Sequence, residues 1–242
     1  MNAAAPDDLH SEIPLPYRPL VVFDFDHTLY DGDSGAHFVS WLIKRSAWRK
    51  LLALIAAPVL LPMVAWLPTR RRGISGFLWI GTVGAERDID RLIDAYVQAN
   101  AASIRARLLV PALEVLHRHR TAGDRVLVAT GAPPELARAI LDFVAHEDLP
   151  VIGSLGQRFL GGYITVEHCH AANKMRMIWD HGYERIAIAY SDSVADLPLL
   201  QAAEKPVVVN PKPARVAMFR RVLPPGTPIL NWGCESRGGD RG

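Results

Sequence analysis

The chain has 242 residues, 50% of them hydrophobic, enough for one large domain or a core with a smaller companion. Its formal net charge of +2 is too small to draw a polyanion, and no nucleic-acid motif is present, so nucleic acid is set aside as a partner. Two cysteines exclude a disulfide framework and agree with a reducing cytoplasm.

Residues 1–19 lack a basic start and an apolar stretch, and read as a flexible tail rather than a signal peptide. A buried strand begins at Leu20-Val21-Val22 and runs into Phe23-Asp24-Phe25-Asp26-His27-Thr28, followed by the turn-like Asp31-Gly32-Asp33. Side chains on a strand repeat every second residue, which puts the Asp24 and Asp26 carboxylates on one side. A core has little use for two parallel acids, because unpaired charges are costly to desolvate. A Mg²⁺ site that also needs a nucleophile and a proton carrier does have a use for them.

Residues 32–110 are too many for a β-α-β crossover, and read as a helical cap inserted between core segments 20–31 and 111–233. Between 34 and 85 there is no Asp or Glu, but there are seven Lys or Arg and four of the six tryptophans. An apolar run, 51–67, lies between Lys44, Arg45, Arg49 and Lys50 on one side and Arg70, Arg71 and Arg72 on the other. Basic and aromatic residues bracketing an apolar segment are what a membrane boundary selects. A single crossing fails on topology, since Asp24 precedes the run and the later motifs follow it. Pro58 and Pro62 are expected to break the helix near its middle. Each arm would then be about seven residues, or roughly 10 Å, giving a monotopic hairpin or a kinked interfacial helix. The alternative is a buried cap helix. The cap ends in an amphipathic helix carrying Ile89, Leu92, Ile93, Tyr96, Val97, Ile104 and Leu108.

Residues 111–119 supply the crossover helix, with His117-Arg118-His119-Arg120 as a solvated face. The strand Val126-Leu127-Val128-Ala129 leads into Thr130-Gly131 and a helix from Glu135. A hydroxyl and a glycine at such a junction offer an O–H and free backbone N–H groups to an anion. Residues 153–166 read as a Gly-punctuated hairpin on the core. His168-Cys169-His170 lacks the ligand spacing of a zinc site. Lys174 opens a helical stretch, and a last strand, 186–190, ends in Ser191-Asp192-Ser193-Val194-Ala195-Asp196. Residues 234–242 read as a flexible tail. In a parallel sheet these strand ends gather on one edge, where open α/β folds bind ligands.

The ordered set Asp24-x-Asp26, Thr130-Gly131, Lys174 and Asp192…Asp196 resembles the haloacid dehalogenase superfamily of phosphatases and phosphotransferases, over 20–232. The resemblance implies an α/β, Rossmann-like doubly wound parallel sheet with the cap between the first and second motifs. The position of that cap is similar to the phosphoserine-phosphatase-like branch. Asp24 would be the nucleophile that forms an aspartyl-phosphate, and Asp26 the acid and base. Thr28, Thr130, Gly131 and Lys174 would bind the phosphoryl group. Asp24, Asp26 and Asp192 would hold Mg²⁺, with Asp196 in support. Ser191 stands where many members have Gly. The chemistry agrees with this set, because a phosphate dianion repels a carboxylate unless a cation lies between them.

A narrower resemblance is carried by residues 41–83, by Phe77-Leu78-Trp79-Ile80-Gly81-Thr82-Val83-Gly84, and by Tyr190-Ser191-Asp192-Ser193 with Asp196-Leu197-Pro198-Leu199-Leu200. These are similar to the phosphatidylglycerophosphatase C family. That implies a lipid substrate, phosphatidylglycerophosphate, and a place on the cytoplasmic side of the cell membrane. The basic rim would attract anionic lipid by about 1 kcal/mol per residue. The alternative is a soluble, phosphoserine-phosphatase-like hydrolase of a small phosphorylated metabolite. A scaffold with a degenerate site is a third reading, opposed by intact Asp24, Asp26, Lys174 and Asp192. Oligomeric state and acyl preference stay open.

Overall fold

The computed structural model describes residues 18–145 and 149–234; the two expected terminal tails lie almost wholly outside them. Its strands are β1 (Leu20–Asp24), β2 (Arg125–Ala129), β3 (Val151–Ile152), β4 (Leu155–Phe159), β5 (Gly162–Glu167), β6 (Ile186–Ser191), β7 (Ala203–Val209) and β8 (Ile229–Leu230). Six of them form one sheet in the order β3-β2-β1-β6-β7-β8, with every neighbouring pair parallel. The chain winds outward in one direction from β1 to β3 and in the other from β6 to β8. The switch point therefore falls between β1 and β6, where such sheets open a crevice at their carboxyl edge.

β1 is apolar up to its last residue because both faces of the sheet are covered. Val21 and Phe23 point into one cluster, with Val126, Val128, Leu136 and Ile140. Leu20 and Val22 point into the other, with Leu127, Met175, Ile178 and Leu199. This is a strand's two-residue alternation read directly in the packing.

The inserted segment contains α1 (Ser34–Lys44), α2 (Ala47–Ala65), α3 (Arg70–Thr82), α4 (Ile89–Ala99) and α5 (Ala101–Arg107). Helices α6 (Val110–Thr121), α7 (Pro134–Ala145), α8 (Ala172–Asp180), α9 (Leu197–Ala202) and α10 (Val216–Val222) complete the core. Phe38 and Leu42 of α1, Ile93 and Tyr96 of α4, and Ile104 of α5 share a cluster with the sheet. Helices α2 and α3 contribute no buried residue to either cluster.

Four local expectations are revised. Helix α2 runs unbroken through Pro58 and Pro62 and ends only at Trp66. Each proline removes one N–H donor, but the surrounding turns carry the helix past it. The amphipathic stretch 89–108 divides at Asn100, whose backbone N–H and side-chain amide both bond the Tyr96 carbonyl. The β4–β5 hairpin forms a separate two-stranded sheet and leans on α3 rather than on the core. Ser75 Oγ donates to the Thr165 carbonyl, Trp79 Nε1 to the Phe159 carbonyl, and Tyr163 N to Thr82 Oγ1. Lastly, His119 is not solvated: its ring bonds Asp124 at 2.7 Å and the Tyr190 hydroxyl at 2.9 Å.

Helix α2 is also not the buried cap helix of the alternative reading. Only 6% of its most apolar 18-residue window is buried, and it is long and apolar enough to cross a membrane. Trp48, Leu51, Ile55 and Val59 make an exposed stripe at helical spacing.

Candidate active site

Register brings the motifs level. Asp24 is paired with Ala129 across β1 and β2, and Phe23 with Tyr190 across β1 and β6. The residues that leave these strand ends are therefore Asp24, Thr130 and Asp192, all buried at the switch point. Lys174, on the first turn of α8, reaches the same edge from below. Its Nζ donates to Asp24 Oδ1 at 2.8 Å and to Asp196 Oδ2 at 2.6 Å. Ser191 Oγ donates to the same Asp196 oxygen at 2.8 Å, so a hydroxyl in this position holds the supporting acid in place.

Asp24 and Asp26 do not share a strand face as expected, because β1 ends at Asp24. Asp26 leaves on the following turn, and its Oδ1 accepts from the Ser34 backbone N–H at 2.8 Å. That N–H is one of the free donors at the start of α1, which Asp33 caps through Ala36 N. The two carboxylates thus have different partners on different elements. Burial, and then the charge of Asp33, push the Asp26 carboxyl up to about 8, against hydrogen bonds from Ser34. Burial likewise raises Asp24, with Lys174 opposing and Asp196 adding to the rise. Burial works against the Lys174 charge, but Asp196 and Asp24 outweigh it and hold the ammonium above its ordinary range.

Thr130 is held by its own N–H, which donates to the Ile152 carbonyl at 2.9 Å. Its Oγ1 accepts from Ala132 N at 3.0 Å, and its hydroxyl proton is left to donate. Gly131 follows on the loop into α7, where Ser154 Oγ latches its carbonyl at 2.6 Å and also accepts from Cys169 N. A Cβ at Gly131 would come within 3.5 Å of His168 Nε2, so the loop from β5 into α8 closes over this junction. Thr28 lies fully buried inside the turn, and its hydroxyl has no hydrogen-bond partner among the described residues.

Sequence reasoning placed Asp24, Asp26, Thr130, Gly131, Lys174, Asp192 and Asp196, and the fold gathers them on one edge. It missed Ser34, Ser154 and His168. Ser34 had a signal, since Asp33 before an apolar-periodic run is a helix-start pattern. Ser154 and His168 had none, because their partners lie on other elements.

The donor set suits Mg²⁺. The Asp24 and Asp192 carboxylates offer oxygen donors on adjoining strand ends, and the Asp26 carbonyl follows two residues beyond β1. Asp24 and Asp196 are buried against a single lysine and Asp192 is buried at the adjoining strand end, a concentration of acids that a divalent cation would suit.

The profile of the haloacid dehalogenase-like hydrolases matches residues 21–201. A protein of Mycobacterium leprae (strain TN) that carries a hydrolase name is 24% identical over 221 residues, spanning 82% of this chain and 68% of its own. Among solved structures, a Bordetella pertussis Tohama I protein of unknown function superposes with a TM-score of 0.70 at 22% identity, covering 89% of this chain and 99% of that one. A phosphoserine phosphatase solved as a phospho-aspartyl intermediate analogue gives 0.53 at 15% identity, covering 89% of this chain and 93% of that one.

Proposed function

The chain belongs to the haloacid dehalogenase-like hydrolase family, and from that premise we propose that it is a Mg²⁺-dependent phosphomonoester phosphatase working through an aspartyl-phosphate on Asp24. The observation that carries this reading is Lys174 bridging Asp24 and Asp196 beside Thr130 at the switch point.

One oxygen of Asp24 is held by Lys174, and the carboxylate attacks phosphorus. As the Asp24–phosphorus bond forms, the phosphorus–ester oxygen bond breaks. Asp26, raised to about 8, holds a proton at neutral pH and gives it to the departing alkoxide. The Asp26 carboxylate then takes a proton from a water that attacks the phosphoryl group, releasing phosphate and restoring Asp24. Thr130 Oγ1 and Gly131 N–H would orient the phosphoryl oxygens while Lys174 balances their charge. Mg²⁺ held by Asp24, Asp192 and the Asp26 carbonyl would supply charge neutralisation between dianion and carboxylate.

Beryllium fluoride tests this directly, since it mimics a phosphoryl group bound to a carboxylate. An adduct on Asp24, with phosphate release in the wild type and none in Asp24→Asn, is the expected result. An active preparation without that adduct overturns it.

Phosphoserine phosphatase among the structural neighbours supports a small phosphorylated metabolite as the substrate. The exposed face of α2 supports a second reading, in which the scissile phosphate sits on a membrane lipid such as phosphatidylglycerophosphate. Seven basic residues and no acid accompany that face between 34 and 85. A cleft of about 460 Å³ at the start of α2 is lined by three arginines, Arg45, Arg49 and Arg91, and one acid, Glu86. Catalytic residues lie on both sides of α2 in the chain, so it would rest in the interface rather than cross. Sedimentation with vesicles of anionic phospholipid and assay on both substrate classes separate the two. Binding to vesicles with preference for the lipid ester favours the second; no binding and preference for soluble esters favours the first.

A further inference from the structure

At the turn that follows β1, three side chains that commonly ligate metals meet. His27, Asp31 and Cys234 each place one ligand atom within 4.8 Å of the others. Cys234 Sγ lies 3.0 Å from Asp31 Oδ1, to which it donates, and 3.8 Å from His27 Nδ1. We propose that these three residues form a second metal site, selective for a borderline-soft divalent ion of the Zn²⁺ class and separate from the all-oxygen site at Asp24 and Asp192.

Donor chemistry sets the two sites apart. A thiolate and an imidazole suit zinc-like ions, whereas carboxylates and a carbonyl suit Mg²⁺. With metal–sulfur near 2.3 Å and metal–nitrogen near 2.05 Å, tetrahedral ligands stand about 3.6 Å apart, close to the sulfur–nitrogen separation of 3.8 Å, while the 3.0 Å sulfur–oxygen hydrogen bond must open when its proton leaves. Charge balances as well. When the sulfur–metal bond forms, the thiol proton leaves to solvent, and one thiolate and one carboxylate neutralise the divalent ion. Cys234 is buried and the other two are half-buried, so a neutral assembly is the form this position tolerates.

The ligands sit on backbone that is already pinned. His27 is held in the left-handed region at φ +60°, a conformation few non-glycine residues adopt and one that clusters at functional positions. Asn210 ties it to the C-terminal segment: its Nδ2 donates to the His27 carbonyl at 2.8 Å, and its Oδ1 accepts from Trp232 N at 2.6 Å. Asp31 N donates to the Arg107 carbonyl at 2.6 Å, and Arg107 Nη1 returns a bond to the Asp31 carbonyl at 3.1 Å. Ligands fixed from behind in this way are the outer-shell support a metal site requires. An ion here would lock the C-terminal segment to the turn that carries Asp26.

Co²⁺, a spectroscopic substitute for Zn²⁺, tests the proposal on the full chain under reducing conditions with Mg²⁺ in excess. The chain has only two cysteines, so a thiolate-to-cobalt charge-transfer band names its ligand. The expected result is one equivalent of Co²⁺ giving that band, displaced by Zn²⁺. It should persist in Cys169→Ser and in Asp24→Asn, and vanish in Cys234→Ser and weaken in Asp31→Asn. No band in the wild type, or a band that survives Cys234→Ser, overturns the site. The readout is absorption rather than turnover, so its failure says nothing against the phosphatase reading.

Discussion

The carboxyl edge of the sheet and the α2 arm break opposite rules of globular structure. At the edge, four charged side chains, Asp24, Lys174, Asp192 and Asp196, are buried. On the arm, Leu54, Ile55 and Val59 are each more than 60% exposed. Buried charge persists only where partners offset the lost hydration, and Lys174 joins two of the acids at short range. Exposed apolar surface persists where something else covers it in the working protein. One region offsets much of its buried charge within the chain, and the other leaves its apolar surface uncovered by the chain.

The largest difference between the regions should appear in catalysis. Asp24→Asn is expected to lower phosphate release by at least about 10³-fold, as loss of a nucleophile does elsewhere. Initial rates on a panel of phosphomonoesters measure it, and a change under tenfold would remove the nucleophile from Asp24. Next comes stability at the edge. Lys174→Met strands Asp24 and Asp196 as buried carboxylates, and urea unfolding should register a loss of about 3–5 kcal/mol. Adding Asp24→Asn to that variant should restore part of the loss; strict additivity would mean the two side chains do not interact.

The arm should behave in the opposite sense. Leu54→Glu is expected to shift stability by no more than about 0.5 kcal/mol, because the side chain is exposed in the chain alone. Phe38→Ala, in the shared cluster, should cost about 3–5 kcal/mol. If Leu54→Glu proved equally costly, α2 would be packed against the rest of the molecule in solution.

The smallest effect is one of pH at the border between the regions. Burial, then the charges of His170 and Arg70, lower the His168 imidazole to about 4, and burial lowers His170 as well. His168 stays neutral in the folded chain down to about pH 4, while an unfolded imidazole takes up a proton below about 6.5. The contribution of these imidazoles to stability is therefore constant above about pH 7 and is lost as pH drops from 6.5 towards 4, opposite in sign to that of Asp26, whose raised carboxyl favours the folded form as pH falls below about 8. His168→Asn should flatten part of that slope in thermal melts across the range.

Much of the catalytic edge could be read in one dimension. Asp24 ends a short apolar strand, Thr130 and Asp192 each follow one, and parallel strands must end on a common edge. Their placement follows from position along the chain, so local pattern was enough to put them on that edge. Lys174 was legible only as part of the set, since its reach to Asp24 spans 150 positions.

The orientation of Asp26 was not legible in this way, because alternation holds only while the strand lasts and β1 stops two residues earlier. Nor was the course of α2 through its prolines, which depends on whether the flanking turns hold. The meeting of His27 with Cys234, 207 residues apart, arises from how Asn210 straps the last strand to the first turn. Periodicity and turn chemistry are local quantities that neighbouring residues impose on each other. Which side chains face one another across elements depends on packing of the whole chain, and no window of sequence contains it.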